Sequence, residues 1–146
     1  MSSNIDFKDF CQLYKLENRP TTGEKILYVA KQIGLESFDI YLRNNELTTK
    51  QGVINLSNNP FKGTHWVAYN GNKYSDSYLV EPPKEIKQHM KKLANTDYIE
   101  SYIDAVGLQN EKSLCAAYCL YFLYLSSLGI PYRKVMVILI TQFKFS

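Results

Sequence analysis

The chain has few of the residues that build metal and redox frameworks: three cysteines at irregular intervals and two histidines among 146 residues. An odd, scattered cysteine count argues against a disulfide scaffold and fits a reducing compartment. Two remote histidines and three dispersed cysteines do not make a zinc set, so no metal or other cofactor is expected. Long hydrophobic runs are missing as well. The longest, Leu114 to Leu125, would rise about 18 Å as a helix, against about 30 Å of bilayer hydrocarbon, and no membrane association is expected. The polar, acidic start Met1-Ser-Ser-Asn-Ile-Asp has no apolar signal core, which points away from secretion. Neither an internal repeat nor a low-complexity tract is visible, and residues 1–146 are expected to form a single domain.

What is present is core material. Apolar residues make up 45% and aromatics 14%, with twelve tyrosines, enough to order nearly the whole chain. Much of the tyrosine should lie half-buried with its hydroxyl wet. The net charge of +3 comes from dispersed lysines, with local groups at Lys84 to Lys92 and at Lys144. That bias is compatible with weak association with DNA and demonstrates none.

Apolar residues at Phe7, Phe10, Cys11 and Tyr14, introduced by Asn4 or Asp6, predict a first helix. Glu24 to Ile33 repeats the spacing and Gly34 stops it. From Gly52 the pattern turns to short β-branched and aromatic runs: Val53 to Leu56, His65 to Tyr69, and Tyr74 to Val80. The last two flank Asn70-Gly-Asn, a hairpin signal. Pro83 opens an exposed amphipathic helix over Lys84 to Ala94. Ile103 to Leu108 reads as a strand, and Leu114 to Leu128 as a helix apolar on nearly every side, ended by Gly129 and Pro131. Lys134 to Ile140 fits either a buried strand or a short helix.

Cys115 directly precedes the apolar run, so its thiol would sit in the first turn of a buried helix, where unpaired amides and the helix dipole favour a thiolate. Cys119, one turn deeper, and Cys11 read as small core hydrophobes. His65 begins a strand and is the one residue placed to take a proton from Cys115 near neutral pH; His89 sits on the exposed helix. A hairpin would set the Asp76 carboxylate beside the His65 imidazole, with Glu81 as the fallback acid. Gln109, six residues before Cys115, could donate its amide to a developing oxyanion.

In order and spacing, Gly63-Thr-His-Trp66, then Tyr74-Ser-Asp-Ser-Tyr78 with Glu81-Pro-Pro, then Gln109-x5-Cys115 with Ala-Ala-Tyr-Cys-Leu-Tyr-Phe-Leu, the chain resembles the adenain family, the adenovirus-type maturation proteases. It is closest to their short versions in virophages and Maverick or Polinton elements, within the larger group of SUMO-type and other ubiquitin-like-protein proteases. The resemblance covers about residues 50 to 128 and more loosely the Phe7 to Cys11 start. It implies an α+β fold, a mixed sheet packed on a central buried helix with Cys115 at its N-terminus. It also implies that His65 is the general base, Asp76 its orienting acid, Cys115 the nucleophile, Gln109 and the Cys115 amide the oxyanion donors, and Trp66 a wall of the substrate cleft. The chain departs from the family at Ala116, where glycine is usual, and at Ser75, where an aromatic is more frequent. An alanine already inside the first helical turn would cost nothing, and that case is expected.

The implied activity is that of a cysteine endopeptidase cutting capsid precursors at Gly-rich sites during virion maturation, within a virion and the host cytoplasm or nucleus, as a monomer. Activation by DNA or by a bound peptide, known in some relatives, enters only as an implication. Two alternatives are a deconjugase for a ubiquitin-like modifier and an inactive binding module that keeps the fold.

Overall fold

Helix boundaries follow from local chemistry. In the computed structural model, which describes residues 5–16, 21–57, 65–104 and 114–144, helix α1 spans Phe7–Tyr14. The Asp6 side chain caps it by accepting the Asp9 N–H at 2.8 Å, a contact of about 1 kcal/mol, and Lys15 ends it in the left-handed conformation. Helix α2, Gly23–Gln32, is capped in the same way by Thr22.

Among the described residues five strands form one sheet in the order β1 Phe38–Leu42, β2 Gln51–Asn55, β3 Trp66–Asn70, β4 Lys73–Ser75 and β5 Glu100–Ser101. The outer pairs β1·β2 and β4·β5 are parallel and the inner pairs antiparallel, so the sheet is mixed. The β3–β4 hairpin turns through Gly71-Asn72, with Gly71 at φ 59°, the left-handed value that suits glycine at the first central position of a two-residue loop. A parallel β1·β2 pair without a helical crossover is unusual. Here residues 43–50 carry the chain back, and the Tyr41 hydroxyl pins them by accepting the Thr48 and Thr49 N–H groups at 3.2 and 3.0 Å.

Alternation along the strands divides the core in two. Val53, Trp66 and Ala68 face helices α1, α2, α4 (Cys115–Ser127) and α5 (Tyr132–Lys144). Tyr41, Ile54, Val67, Tyr69 and Tyr74 pack instead with Ile86 and Met90 of α3 (Lys84–Ala94). Helix α4 is the centre of the larger cluster and is buried from Cys115 through Leu123 and again at Leu125. Each fully buried leucine or phenylalanine there stabilises the fold by about 1.5–3 kcal/mol. On the α3 side, Gly52 is required by close approach: a Cβ at this position would meet the Tyr69 ring at 2.6 Å and the Tyr41 ring at 2.9 Å.

Several expectations are corrected by this architecture. Strand β1 was not foreseen from the sequence. The expected strand over Tyr74 to Val80 stops at Ser75, because the next residues form a tight turn. Among the described residues the sheet's last strand lies at Glu100–Ser101; of the strand expected over Ile103 to Leu108, Ile103 and Asp104 are not in a strand and residues 105–108 lie outside the described residues. The ambiguous tail is helix α5, which buries Val135, Met136 and Leu139 against α4. Its Tyr132 hydroxyl donates to the Tyr74 carbonyl at 2.7 Å and accepts the Tyr102 N–H at 3.0 Å, bridging β4 and the segment after β5. None of the helices among the described residues is long and apolar enough to cross a membrane.

Candidate active site

The β3–β4 hairpin delivers the first two groups. His65 immediately precedes β3, and its carbonyl accepts the Leu56 N–H at 2.9 Å, which extends the β2 pairing by one step. Ser75 pairs with Ala68, so the chain leaving β4 enters the neighbourhood of His65. There the buried Asp76 carboxylate accepts the His65 Nε2–H, at 2.8 Å. This bond fixes the tautomer: with the proton on Nε2, Nδ1 is the basic nitrogen.

A turn after β4 aims the carboxylate. The same Asp76 Oδ1 accepts the Tyr78 N–H at 2.9 Å, and the Asp76 carbonyl accepts the Leu79 N–H at 2.8 Å. Closing so tightly puts Leu79 at φ 54°, a left-handed conformation that a leucine adopts only when its surroundings impose it. Those surroundings are visible: Leu79 is buried and its carbonyl accepts the Asp104 N–H at 2.9 Å. At the other end of the turn, Ser75 donates from its buried hydroxyl to the Tyr118 oxygen on α4 at 3.2 Å. Serine at this position therefore ties the acid-bearing turn to the central helix.

Cys115 is the first residue of α4, and no side chain of the preceding Leu114 caps the helix amides. Its sulfur accepts the Trp66 N–H at 3.4 Å. Burial disfavours a charged imidazole at His65. The hydrogen bonds and charges of Asp76 and Cys115 more than offset this, so that the His65 pKa is pushed up to about 9. Nδ1 makes no bond of ordinary length and angle among the described residues. Proton transfer between sulfur and imidazole is the chemistry this arrangement permits.

The remaining expected residues fall as follows. Trp66 is buried in the same cluster as Cys115. Glu81 is exposed and paired with Lys87, away from the imidazole, which leaves Asp76 as the acid on His65. Ala116 lies inside the first turn of α4 and is not among the residues with positive φ, so alanine is unstrained there. Cys119 is fully buried and burial pushes its thiol well up; Cys11 is buried too. His89 is on α3, and two lysines of that helix, Lys87 and Lys92, are paired with Glu81 and Glu46. Gln109 lies outside the described residues. Among the described residues no three His, Cys, Asp or Glu side chains are grouped to hold a metal.

One neighbour was missed by sequence reasoning. The Tyr78 ring stacks on the His65 imidazole, with centroids 4.5 Å apart and planes 26° from parallel. Only its place two residues after Asp76 could have signalled this, since an Asx-type turn brings that residue back over the carboxylate's partner. Compared with family models, with curated proteins and with solved structures, the chain matches none.

Proposed function

We propose that this protein is a cysteine endopeptidase of the adenain type, cutting capsid or other structural precursors at Gly-rich sites during maturation of a virus particle. The observation that carries the reading is the His65 imidazole, bonded at Nε2 to a buried carboxylate, while the N–H of the next residue, Trp66, donates to the sulfur of a cysteine that begins a buried helix.

In this reading His65 holds the proton of Cys115, and the thiolate attacks the scissile carbonyl carbon. Negative charge moves to the carbonyl oxygen, where the Cys115 amide at the helix N-terminus donates; the resemblance assigns Gln109 the second donation. Collapse of the intermediate breaks the C–N bond as the imidazolium gives its proton to the leaving amine, and a thioester remains. Water then loses a proton to His65 and attacks the thioester, which releases the acid and returns the thiol proton to the pair.

The test is a purified chain offered two substrates, a quenched Gly-rich peptide and a folded ubiquitin-like fusion, together with a Gly-Gly vinyl-type thiol probe. Cleavage of the peptide, and probe on Cys115 alone, support the proposal. Turnover of the fusion without the peptide would transfer the reading to modifier removal. No turnover of either, with Cys115 no more reactive than Cys11 or Cys119, would leave a binding module.

A further inference from the structure

We propose that the cavity between helix α5 and the segment after β5 is a binding site for a small apolar monocarboxylate of the medium-chain fatty-acid class, its anion held by Arg133 and its tail lying along α5.

The cavity has a volume of about 440 Å³. Small-molecule sites run from about 300 to 1,000 Å³ and are walled mainly by apolar and aromatic side chains, with a few polar groups to orient the ligand. Here one wall is a stripe of α5. Arg133, Val137, Ile140 and Thr141 follow the spacing of a single helical face, so the stripe runs about 12 Å from the arginine to the threonine. Tyr102, Tyr132 and Met136 complete the lining.

The polar atoms of the floor are engaged elsewhere. The Tyr132 hydroxyl donates to the Tyr74 carbonyl and accepts the Tyr102 N–H, and burial pushes it above the usual phenol range, so it is neutral and has no proton left to offer a ligand. The Met136 sulfur lies 3.8 Å from the Ser75 hydroxyl, and its side chain is buried. Both residues are thus anchored on β4, which keeps the floor from closing over the space. At the rim, Val137 is 61% and Tyr102 43% exposed, apolar surface that a hydrocarbon tail would remove from water.

Charge selects the head group. Among the described residues that line the cavity, Arg133 is the one charged side chain, and it forms no ion pair among the described residues. Its planar guanidinium matches a carboxylate through two parallel N–H bonds. A second copy of the chain would not supply that anion: a two-fold contact joins a patch to itself, and this patch would bring another arginine and no acid.

Octanoate, butanoate and octanol, each titrated into the purified chain by calorimetry, test the assignment. Octanoate should bind one-to-one, at least about tenfold more tightly than butanoate, because its longer tail buries more methylenes. It should exceed octanol, which lacks the anion, by about threefold or more. Arg133→Gln should erase the difference between octanoate and octanol and leave octanol binding unchanged. Val137→Glu, at an exposed position, should keep the circular dichroism of wild type and weaken octanoate about tenfold by setting a carboxylate in the path of the tail. No saturable octanoate binding, binding that neither variant weakens, or octanol binding equal to octanoate would each overturn the proposal. Dimerisation abolished by Val137→Glu, without octanoate binding, would assign the face to a second copy and overturn it as well. Peptide cleavage enters none of these readouts, so a failure here leaves the protease reading untouched, and a chain that cuts nothing can still hold the ligand.

Discussion

The main-chain N–H of Trp66 donates to the sulfur of Cys115 at 3.4 Å, so the residue that follows His65 also holds the thiol at the start of α4. Strand β3 and helix α4 are thus joined here, and His65 and Cys115 cannot drift apart without breaking a buried contact. Because the donor is a backbone group, changes of the Trp66 side chain leave this contact in place.

Cys115 should be the reactive thiol. Near neutral pH iodoacetamide should modify it at least ten times faster than Cys11 or Cys119, since it alone combines a helix N-terminus with an imidazole partner, while Cys119 is fully buried with its thiol pushed up. Mass mapping of the alkylated peptides reads this directly. Cys115→Ala should abolish peptide cleavage and keep the circular dichroism of the folded chain, because the side-chain change is small.

Asp76→Asn should lower turnover by about 10²- to 10⁴-fold, since an amide cannot hold the Nε2–H tautomer or support the imidazolium. Cys115 should still alkylate, more slowly. Glu81→Gln, which loses only an exposed pair with Lys87 away from the imidazole, should leave turnover within about twofold. An equal loss in both variants would show that the acid has been misassigned.

The raised His65 pKa has a definite sign in stability. A histidine of about 6.5 in the unfolded chain and about 9 in the folded one contributes stability that is complete below pH about 6.5 and is lost as pH rises through 9. The difference in urea midpoint between wild type and His65→Gln should therefore shrink steadily between pH 6 and pH 9.5. If the imidazolium returns the proton to the leaving amine, kcat/KM should fall above pH about 9 as well, and this limb should move to lower pH in Asp76→Asn.

Gly52→Ala tests the fold away from the site. A methyl group at 2.6 Å from one tyrosine ring and 2.9 Å from another forces a buried shift, with a cost of about 1–3 kcal/mol. The thermal midpoint should drop, while alkylation of Cys115 at 20 °C keeps its wild-type rate.

What could be read from the sequence was whatever local chemistry decides. Asn70-Gly-Asn between aromatic runs specified the hairpin, and with it the meeting of His65 and Asp76, because two-residue loops leave little choice of register. The unbroken apolar run after Cys115 specified a central helix, since such a surface has no side to turn to water. Strand β1 was hidden for the opposite reason: Phe38-Asp-Ile-Tyr-Leu is an edge strand with only Tyr41 buried, and its parallel partner is reached by a return that the Tyr41 hydroxyl itself stabilises. Helix α5 was undecidable because Val135, Met136 and Leu139 show a preference only once α4 is there to receive them. Tyr78 was invisible because its place depends on Leu79 entering a conformation that leucine has no intrinsic tendency to adopt.

The Tyr132 hydroxyl, which accepts from Tyr102 and donates to Tyr74, stands where a further rung of the sheet would be, supplied by a side chain instead of a strand. It makes the last helix a clasp on the strand that ends at Ser75, one residue before the carboxylate. Alignment of the imidazole is thereby shared with the C-terminal part of the chain, far from His65 in sequence. A chain stopped at Pro131 would keep every residue that touches the imidazole and lose the support that keeps β4, and so Asp76, in line.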